Sequence, residues 1–232
     1  MSALVVAIDG TSGSGKSSTS RGVAARLGLR YLDTGAMFRA ITWWMLTHDV
    51  DTSDPEAVAL RAGEPMIQSG TDPLDPTILV DGADASVAIR SDEVNAAVSP
   101  VSAVPAVRAR LLELQREIIG AVTTGDDGIV VEGRDIGSVV APDAPVKLFL
   151  SADPGARAVR RAAEAGGDVV ATRESLLARD RIDSGRTTAP LKIADGAVHI
   201  DTTPYTLDEV ISQVVALVEA VSIASRAGEA GA

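Results

Sequence analysis

Apolar residues in this chain form short continuous runs that are separated by longer stretches of helical periodicity. The runs are typical of strands buried on both faces of a sheet, and they lie at residues 4–8, 30–33, 128–132, 146–150 and 197–200. The periodic stretches predict a first helix that ends near Gly28 and further helices over residues 36–48, 105–119, 154–165, 172–181 and 206–221. Strands that alternate with helices favour an α/β fold, in which a doubly wound five-stranded parallel sheet carries helices on both faces.

The stretch from residue 49 to 98 has a different pattern, because prolines, glycines and aspartates interrupt its short apolar runs. Residues 77–80 predict a strand that enters a type I′ hairpin turn at Asp81-Gly82, since both central positions of that turn need positive φ angles. Weaker strand predictions fall at residues 65–68 and 87–89, and Ser99-Pro100 predicts a turn. We therefore expect a small β-rich insertion on the α/β body.

Composition and charge narrow the class of protein. The 232 residues suffice for one domain, with its core at about residues 1–48 and 100–224 and a tail at 225–232 that we expect to fray. The lack of cysteine excludes disulfides and thiolate metal sites, and the net charge of −11 argues against a broad basic face for nucleic acid. No apolar run reaches the roughly 18 residues that span a bilayer, and no signal-type segment opens the chain. We expect a soluble cytoplasmic monomer.

The first candidate for chemistry is the glycine-rich stretch at residues 10–17, which has the spacing Gly, four residues, Gly-Lys-Ser of a P-loop. It lies between a predicted strand and a predicted helix, as a P-loop requires. Glycines let successive N–H groups turn inward around an anion, Lys16 would reach the β- and γ-phosphates, and the Ser17 hydroxyl would bind Mg²⁺. We predict a site for ATP and Mg²⁺ whose nucleotide contacts come from Gly10, Thr11, Ser12, Gly13, Ser14, Gly15, Lys16, Ser17 and Ser18.

Three classes of P-loop protein compete for this sequence. A switch GTPase would carry an Asp-x-x-Gly element and an Asn-Lys-x-Asp motif that binds guanine. Neither is present, because no Asp has Gly three residues later and Asn95, the only asparagine, is followed by Ala96. A switch GTPase is therefore excluded. A P-loop ATPase or binding module could use Glu132, at the end of a predicted strand, as its acidic residue. A small-molecule kinase needs arginines that neutralise the transferring phosphoryl group, and seven arginines lie between Arg157 and Arg186. This clustering favours the kinase.

Several motifs together resemble the bacterial cytidylate kinases, which belong to the P-loop nucleoside monophosphate kinases. The resemblance covers nearly the whole chain, including the β-rich insertion. The matching motifs are Asp9-Gly10, Gly15-Lys16-Ser17, Leu32-Asp33-Thr34-Gly35-Ala36-Met37-Phe38-Arg39, Glu132-Gly133-Arg134-Asp135-Ile136-Gly137 and Arg179-Asp180 with Asp183 and Arg186. The resemblance implies transfer of the γ-phosphoryl group of ATP to CMP or dCMP, with the insertion binding the monophosphate and an arginine-rich lid at about residues 157–188.

The same resemblance implies roles for individual residues. Those implied for the acceptor phosphate are Thr34, Arg39 and Arg134; for the cytosine edge, Ser99, Arg108 and Asp135; for the ribose, Arg179 and Asp183; and for the acceptor nucleotide from the lid, Arg186. Arg157, Arg160 and Arg161 correspond to the lid arginines that approach the ATP phosphates in this family. Because Arg160 and Arg161 are adjacent, we expect only one of these two to face the site. The residues expected to support catalysis directly are Lys16, Arg39, Arg134 and Arg179.

Some assignments stay open at this point. Arg108 could instead belong to a solvated helix face, and Glu132, Asp9 and Asp33 all compete to support Mg²⁺ through water. Thr11, Phe38 and Glu132 stand where the family more often has proline, tyrosine and aspartate. The acceptor could also be UMP or AMP, because only the family resemblance argues for CMP.

Overall fold

The computed structural model describes residues 4–125, 127–165, 168–185 and 191–230, without the side chains of residues 164, 165, 179 and 225–230. Its strands are β1 (Val5–Gly10), β2 (Arg30–Asp33), β3 (Ile67–Ser69), β4 (Ile78–Val80), β5 (Ala83–Asp84), β6 (Ile129–Glu132), β7 (Val146–Ser151) and β8 (Val198–Asp201). Its α-helices are α1 (Lys16–Leu27), α2 (Thr34–Thr47), α3 (Pro55–Arg61), α4 (Asp92–Ala103), α5 (Pro105–Thr124), α6 (Pro154–Ala165), α7 (Val169–Ser184) and α8 (Leu207–Ala230).

Five of the strands form a parallel sheet in the order β2-β6-β1-β7-β8. They are the five strands that the apolar runs predict, so the predicted sheet is confirmed. The central strand β1 shows why its run is continuous. Ala7 packs into a core on one face with Met37 of α2, whereas Val6 packs into a second core on the other face with Val214 of α8. Both faces are buried under helices, as a doubly wound fold requires.

The stretch after α2 contains an antiparallel sheet in the order β3-β4-β5. Asp81 and Gly82 connect β4 to β5 with φ angles of 51° and 81°, which confirms the predicted type I′ turn. The Asp81 side chain also accepts hydrogen bonds from Trp44 Nε1 at 2.7 Å and from the Met66 amide at 2.8 Å. One turn residue therefore fixes this sheet to α2.

Several local predictions in and after this stretch are wrong. Residues 87–89 are not a strand; Ala88–Arg90 form a 3₁₀-helix that buries Ile89 alone. Ser99-Pro100 is not a turn but lies inside α4, whose apolar face supplies enough burial to tolerate a proline near the last turn. Helix α3 was not predicted, although Asp54 caps it and Pro55 begins it, which is a standard start signal.

Helix α8 extends to Ala230, well past the predicted end at residue 221, so the predicted end is wrong. Three of the nine added residues are alanine, and one each is arginine and glutamate, all of which favour helix even without an apolar stripe. No helix in the described part of the chain combines the length and the apolarity needed to cross a membrane.

Candidate active site

A cleft of about 570 Å³ lies at the carboxyl ends of β1, β2 and β6. It gathers most of the predicted site residues from loops that are far apart in the sequence, as expected for a doubly wound sheet. The predicted residues that line it are Ser12, Gly13, Gly15, Lys16, Ser17, Ser18, Thr34, Arg39, Ser99, Arg108, Arg134, Asp135, Arg161 and Asp183. Gly10, Thr11, Ser14 and Arg157 lie behind this surface, while the side chain of Arg179 and the whole of Arg186 lie outside the described residues.

The P-loop takes a backbone path that depends on its glycines. Gly13 and Gly15 have φ angles of 76° and 86°. At Gly10 a Cβ atom would stand 1.9 Å from the carbonyl oxygen of Leu150 on β7, so no other residue fits there. Helix α1 begins directly after Gly15 and has no side-chain cap, which leaves its first N–H groups and the positive end of its dipole directed at the loop. The arrangement suits a bound phosphate chain.

Lys16 is buried at the centre of the cleft. Its Nζ donates a hydrogen bond to the carbonyl oxygen of Thr11 at 2.7 Å. Burial and, to a smaller extent, the nearby charge of Arg134 lower the pKa of Lys16 to about 7, against the opposing charges of Glu132 and Asp9. Anionic phosphate oxygens would stabilise the charged form of Lys16 by the same electrostatic rule.

The carboxylate of Glu132 lies beside the Ser17 hydroxyl and is fixed by Tyr31, whose hydroxyl donates to Oε1 at 2.7 Å. Burial raises the pKa of Glu132 to about 7, with the charge of Asp33 adding to the shift. The other oxygen, Oε2, is buried and makes no hydrogen bond to any described residue. A hydroxyl beside an unsatisfied carboxylate oxygen is a donor set of the hard oxygens that Mg²⁺ prefers.

The other two acids that compete for Mg²⁺ are committed to the backbone. Asp9 is buried and accepts from the amides of Ile136 and Gly137, both at 2.8 Å. Asp33 caps α2 by accepting from Ala36 N at 2.9 Å. The described residues contain no cluster of three or more acidic or histidine side chains that could hold a metal alone. The site therefore fits a magnesium ion that takes most of its ligands from phosphates and water.

Arg134 crosses from the end of β6 to two partners. Its Nη1 donates to the Gly10 carbonyl oxygen at 2.7 Å, and its Nε donates to Asp183 Oδ2 at 2.8 Å. Arg39 donates to Asn95 Oδ1 at 2.8 Å and to the Ile89 carbonyl oxygen at 3.2 Å. Both guanidinium groups line the cleft with their orientation already fixed.

Arg108 and Asp135 form a buried ion pair that lines the same cleft as the P-loop. Arg108 also donates to the Ser102 carbonyl oxygen at 3.2 Å and lies over the ring of Phe38, 5.4 Å from its centroid. With 9% of its surface exposed, Arg108 does not belong to a solvated helix face. Ser99 borders the same pocket from α4.

Some predicted residues have contacts that the sequence did not indicate. The Thr34 hydroxyl donates to the Glu132 carbonyl oxygen at 2.7 Å, so its proton is committed to the backbone. Arg160 and Arg161 both border the cleft, but the guanidinium of Arg160 donates to the Thr202 carbonyl oxygen at 2.8 Å, and the expectation that only one of the two faces the phosphates stays a prediction. Tyr31 and Asn95 were missed, since nothing in their spacing separates them from ordinary strand and helix residues.

A model of the family described as cytidylate kinase matches residues 6–220. The chain belongs to this family. It is 60% identical over 225 residues to the cytidylate kinase of Streptomyces griseus, covering 97% of this chain and 96% of that protein. It is 61% identical over 218 residues to the cytidylate kinase of Streptomyces coelicolor (94% and 93% covered) and 48% identical over 223 residues to that of Rhodococcus opacus (94% and 95% covered). The family resemblance inferred from the motifs is confirmed.

Among solved structures, an uncharacterized protein from Eubacterium ventriosum matches with a TM-score of 0.52 at 11% identity, covering 94% of this chain and 98% of that one. At this identity the match supports the fold alone. The family model and the Streptomyces griseus relative both match nearly the whole length of this chain.

Proposed function

We propose that the protein transfers the γ-phosphoryl group of ATP to CMP and dCMP, forming CDP or dCDP and ADP. One observation carries the proposal: a P-loop and the buried Arg108–Asp135 pair line one cleft, in a chain of the cytidylate kinase family. The P-loop suits a triphosphate, and the ion pair offers a carboxylate and a guanidinium to a base edge. We also propose that its partners are small molecules rather than nucleic acid or membrane, and that it acts as a cytoplasmic monomer.

On the donor side, the P-loop amides and Lys16 would bind the phosphates of ATP. Magnesium, when bound, would supply positive charge that neutralises the phosphates, and Ser17 would be its direct ligand with Glu132 as the supporting acid. Arg161 borders the same space, and we keep it as a contact to the phosphates. These residues hold and neutralise the donor rather than exchange protons with it.

On the acceptor side, no general base is required. A phosphate monoester is mostly dianionic at neutral pH, with a second pKa of about 6, so its oxygen is already a nucleophile. Arg39 and Arg134 would hold this phosphate, and Thr34 lies beside them at the start of α2. Positioning and charge neutralisation are the main terms in such a transfer.

The Arg108–Asp135 pair gives a reason for choosing cytosine. The exocyclic amino group of cytosine is a donor that a carboxylate accepts, whereas uracil presents an acceptor oxygen at the same position. Asp135 would therefore attract cytosine and repel uracil, and Ser99 borders the same pocket. Asp183 and Arg179 would contact the ribose, and Arg186 would contact the acceptor nucleotide from the lid.

An assay of ADP release with ATP, Mg²⁺ and each monophosphate tests the proposal. We expect the highest kcat/KM for CMP and dCMP, weak turnover of UMP and AMP, and loss of activity on chelation of the metal. A preference for UMP or AMP would contradict the assignment of the acceptor. Equal ADP release without any acceptor would instead support a P-loop ATPase.

A further inference from the structure

Ser12, in the middle of the P-loop, is held by side chains of two helices at once. Its amide donates to Asp180 Oδ1 of α7 at 3.2 Å, and its carbonyl oxygen accepts from Arg157 Nη1 of α6 at 2.9 Å. Arg157 and Asp180 are also bonded to each other, at 2.5 Å. Three groups thus form a closed triangle behind the loop. Asp180 has no role among the residues considered so far.

The Arg157 and Asp180 members of this triangle lie behind the cleft surface that Ser12 borders. Arg157 is only 3% exposed and does not border the cleft, whereas Gly13 does. A Cβ atom on Gly13 would be 3.4 Å from Arg157 Cβ and 3.6 Å from Leu176 Cδ1. Helices α6 and α7 therefore pack directly against the back of the P-loop at Gly13.

The geometry of the peptide bond connects this contact to the donor site. In a trans peptide the C=O and N–H groups point in opposite directions, and the described chain has no cis peptide bond. Because Arg157 holds the Ser12 carbonyl oxygen toward the helices, the Gly13 N–H of the same peptide points toward the cleft. If that peptide turned over, it would present a carbonyl oxygen to the phosphates. Glycine at position 13 imposes little steric barrier to such a turn.

We propose that Arg157, oriented by Asp180, is a positioning residue that holds the Ser12–Gly13 peptide with its N–H group directed at the phosphates of the donor. This inference rests on the proposed function only in taking ATP as the donor. It gives Arg157 an indirect role, in place of the direct phosphate contact implied by the family resemblance. It also gives Asp180 a role in donor binding.

The test compares Arg157→Met, Asp180→Asn and the double variant in the full-length protein. Binding of ADP with Mg²⁺ is measured by calorimetry without any acceptor, and the KM values for ATP and CMP are measured separately. We expect about tenfold weaker ADP binding for Arg157→Met, the size of one lost hydrogen bond to a charged group. Asp180→Asn should weaken binding less, the double variant should match Arg157→Met, and the KM for CMP should stay near its wild-type value.

A matched control is Asp208→Asn, which removes an Asp–Arg ion pair of the same chemistry with Arg26 on the outer surface. It should bind ADP like the wild type. If Arg157→Met does not fold, Asp180→Asn carries the same test, because asparagine keeps an oxygen that can accept from Ser12. Arg157→Lys should recover part of the loss, since lysine can still reach the Ser12 carbonyl oxygen.

The amide resonance of Gly13 reports the orientation of the peptide itself. On addition of ADP it should move downfield in the wild type, as expected for a donor to phosphate, and much less in Arg157→Met. Unchanged ADP binding in Arg157→Met, or losses that multiply in the double variant, would overturn the proposal. A direct contact of Arg157 with phosphate predicts instead an intact Gly13 shift and no loss in Asp180→Asn. All these measurements omit the acceptor, so they stand even if CMP is not the substrate.

Discussion

The buried pair of Arg108 and Asp135 makes a sharp prediction for a single side chain. Asp135→Asn keeps the size of the side chain but offers an amide group that can donate to the oxygen of uracil. We expect the KM for CMP to rise by about tenfold, the equivalent of one charged hydrogen bond, and the ratio of UMP to CMP turnover to increase. ADP release with each monophosphate measures both quantities.

The control for this variant is Asp127→Asn, because Asp127 pairs with Arg30 on an exposed part of the surface. Base selectivity should not change there. If Asp135→Asn has wild-type selectivity as well, Asp135 does not read the base.

Residue identities at this scale were only partly predictable from the sequence. The motifs located Lys16, Arg134 and Asp135 correctly at one cleft, because motif spacing encodes the loops at the carboxyl edge. The motifs did not separate Glu132 from Asp9, since both acids end neighbouring strands. The two amides that bind Asp9 distinguish it from Glu132, and these belong to a short π-helix, Ile136–Val140, that no local pattern specifies.

At the scale of elements, Arg21 of α1 ties the antiparallel sheet to the body. It donates to the carbonyl oxygens of Pro73 and Leu74, at 2.9 and 3.3 Å, and the amide of Tyr31 donates to Thr71 at 2.9 Å. We expect Arg21→Ala to increase amide hydrogen exchange in residues 70–76 without nucleotide, and to raise the KM for CMP while ATP binding stays unchanged. Hydrogen exchange measured by mass spectrometry tests the first part.

Arg26→Ala is the matched control, because Arg26 lies on the same helix but bonds to Asp208 and Ser212 of α8. Exchange in residues 70–76 should be the same as in the wild type. A rise in KM for Arg21→Ala with unchanged exchange would mean that Arg21 contacts the acceptor and does not act as a tether.

Some helices and strands could be predicted from short stretches of sequence, and others could not. The sheet strands are continuous apolar runs and the hairpin needs two positive φ angles at one Asp-Gly pair, so both could be predicted from short windows. Helix α4 could not, because Pro100 is a strong local signal against helix. The burial of Val94, Val98 and Val101 outweighs it, and that burial depends on the packing of α4 against α2.

For the whole molecule, the buried Asp9 predicts how stability depends on pH. Burial raises the pKa of Asp9 from 3.8 to about 6, with the charge of Asp135 adding to the shift and that of Lys16 opposing it. The folded protein therefore holds this proton more tightly than the unfolded chain does. Its stabilising contribution is complete below about pH 3.8 and is lost as the pH rises through about 6.

Urea unfolding at pH 5 and pH 7.5 measures this contribution. We expect the wild type to gain about 1.4 kcal/mol more unfolding free energy than Asp9→Asn when the pH is lowered from 7.5 to 5. Asp127→Asn, which changes an exposed acid, should keep the wild-type difference. Equal pH dependence in Asp9→Asn and the wild type would show that Asp9 is ionised across this range.

Each cationic group at the centre of the cleft already has a partner within the protein, as Lys16 has in the carbonyl oxygen of Thr11 and Arg134 has in Asp183. Binding a nucleotide therefore exchanges one set of hydrogen bonds for another, and the net gain is smaller than the number of new contacts. The same exchange runs backwards when ADP and CDP leave, because the internal partners take up the cations again. These internal hydrogen bonds lower the cost of product release, because the cations do not have to be rehydrated when the phosphates leave. The molecule is thus arranged for repeated turnover rather than for tight storage of nucleotide.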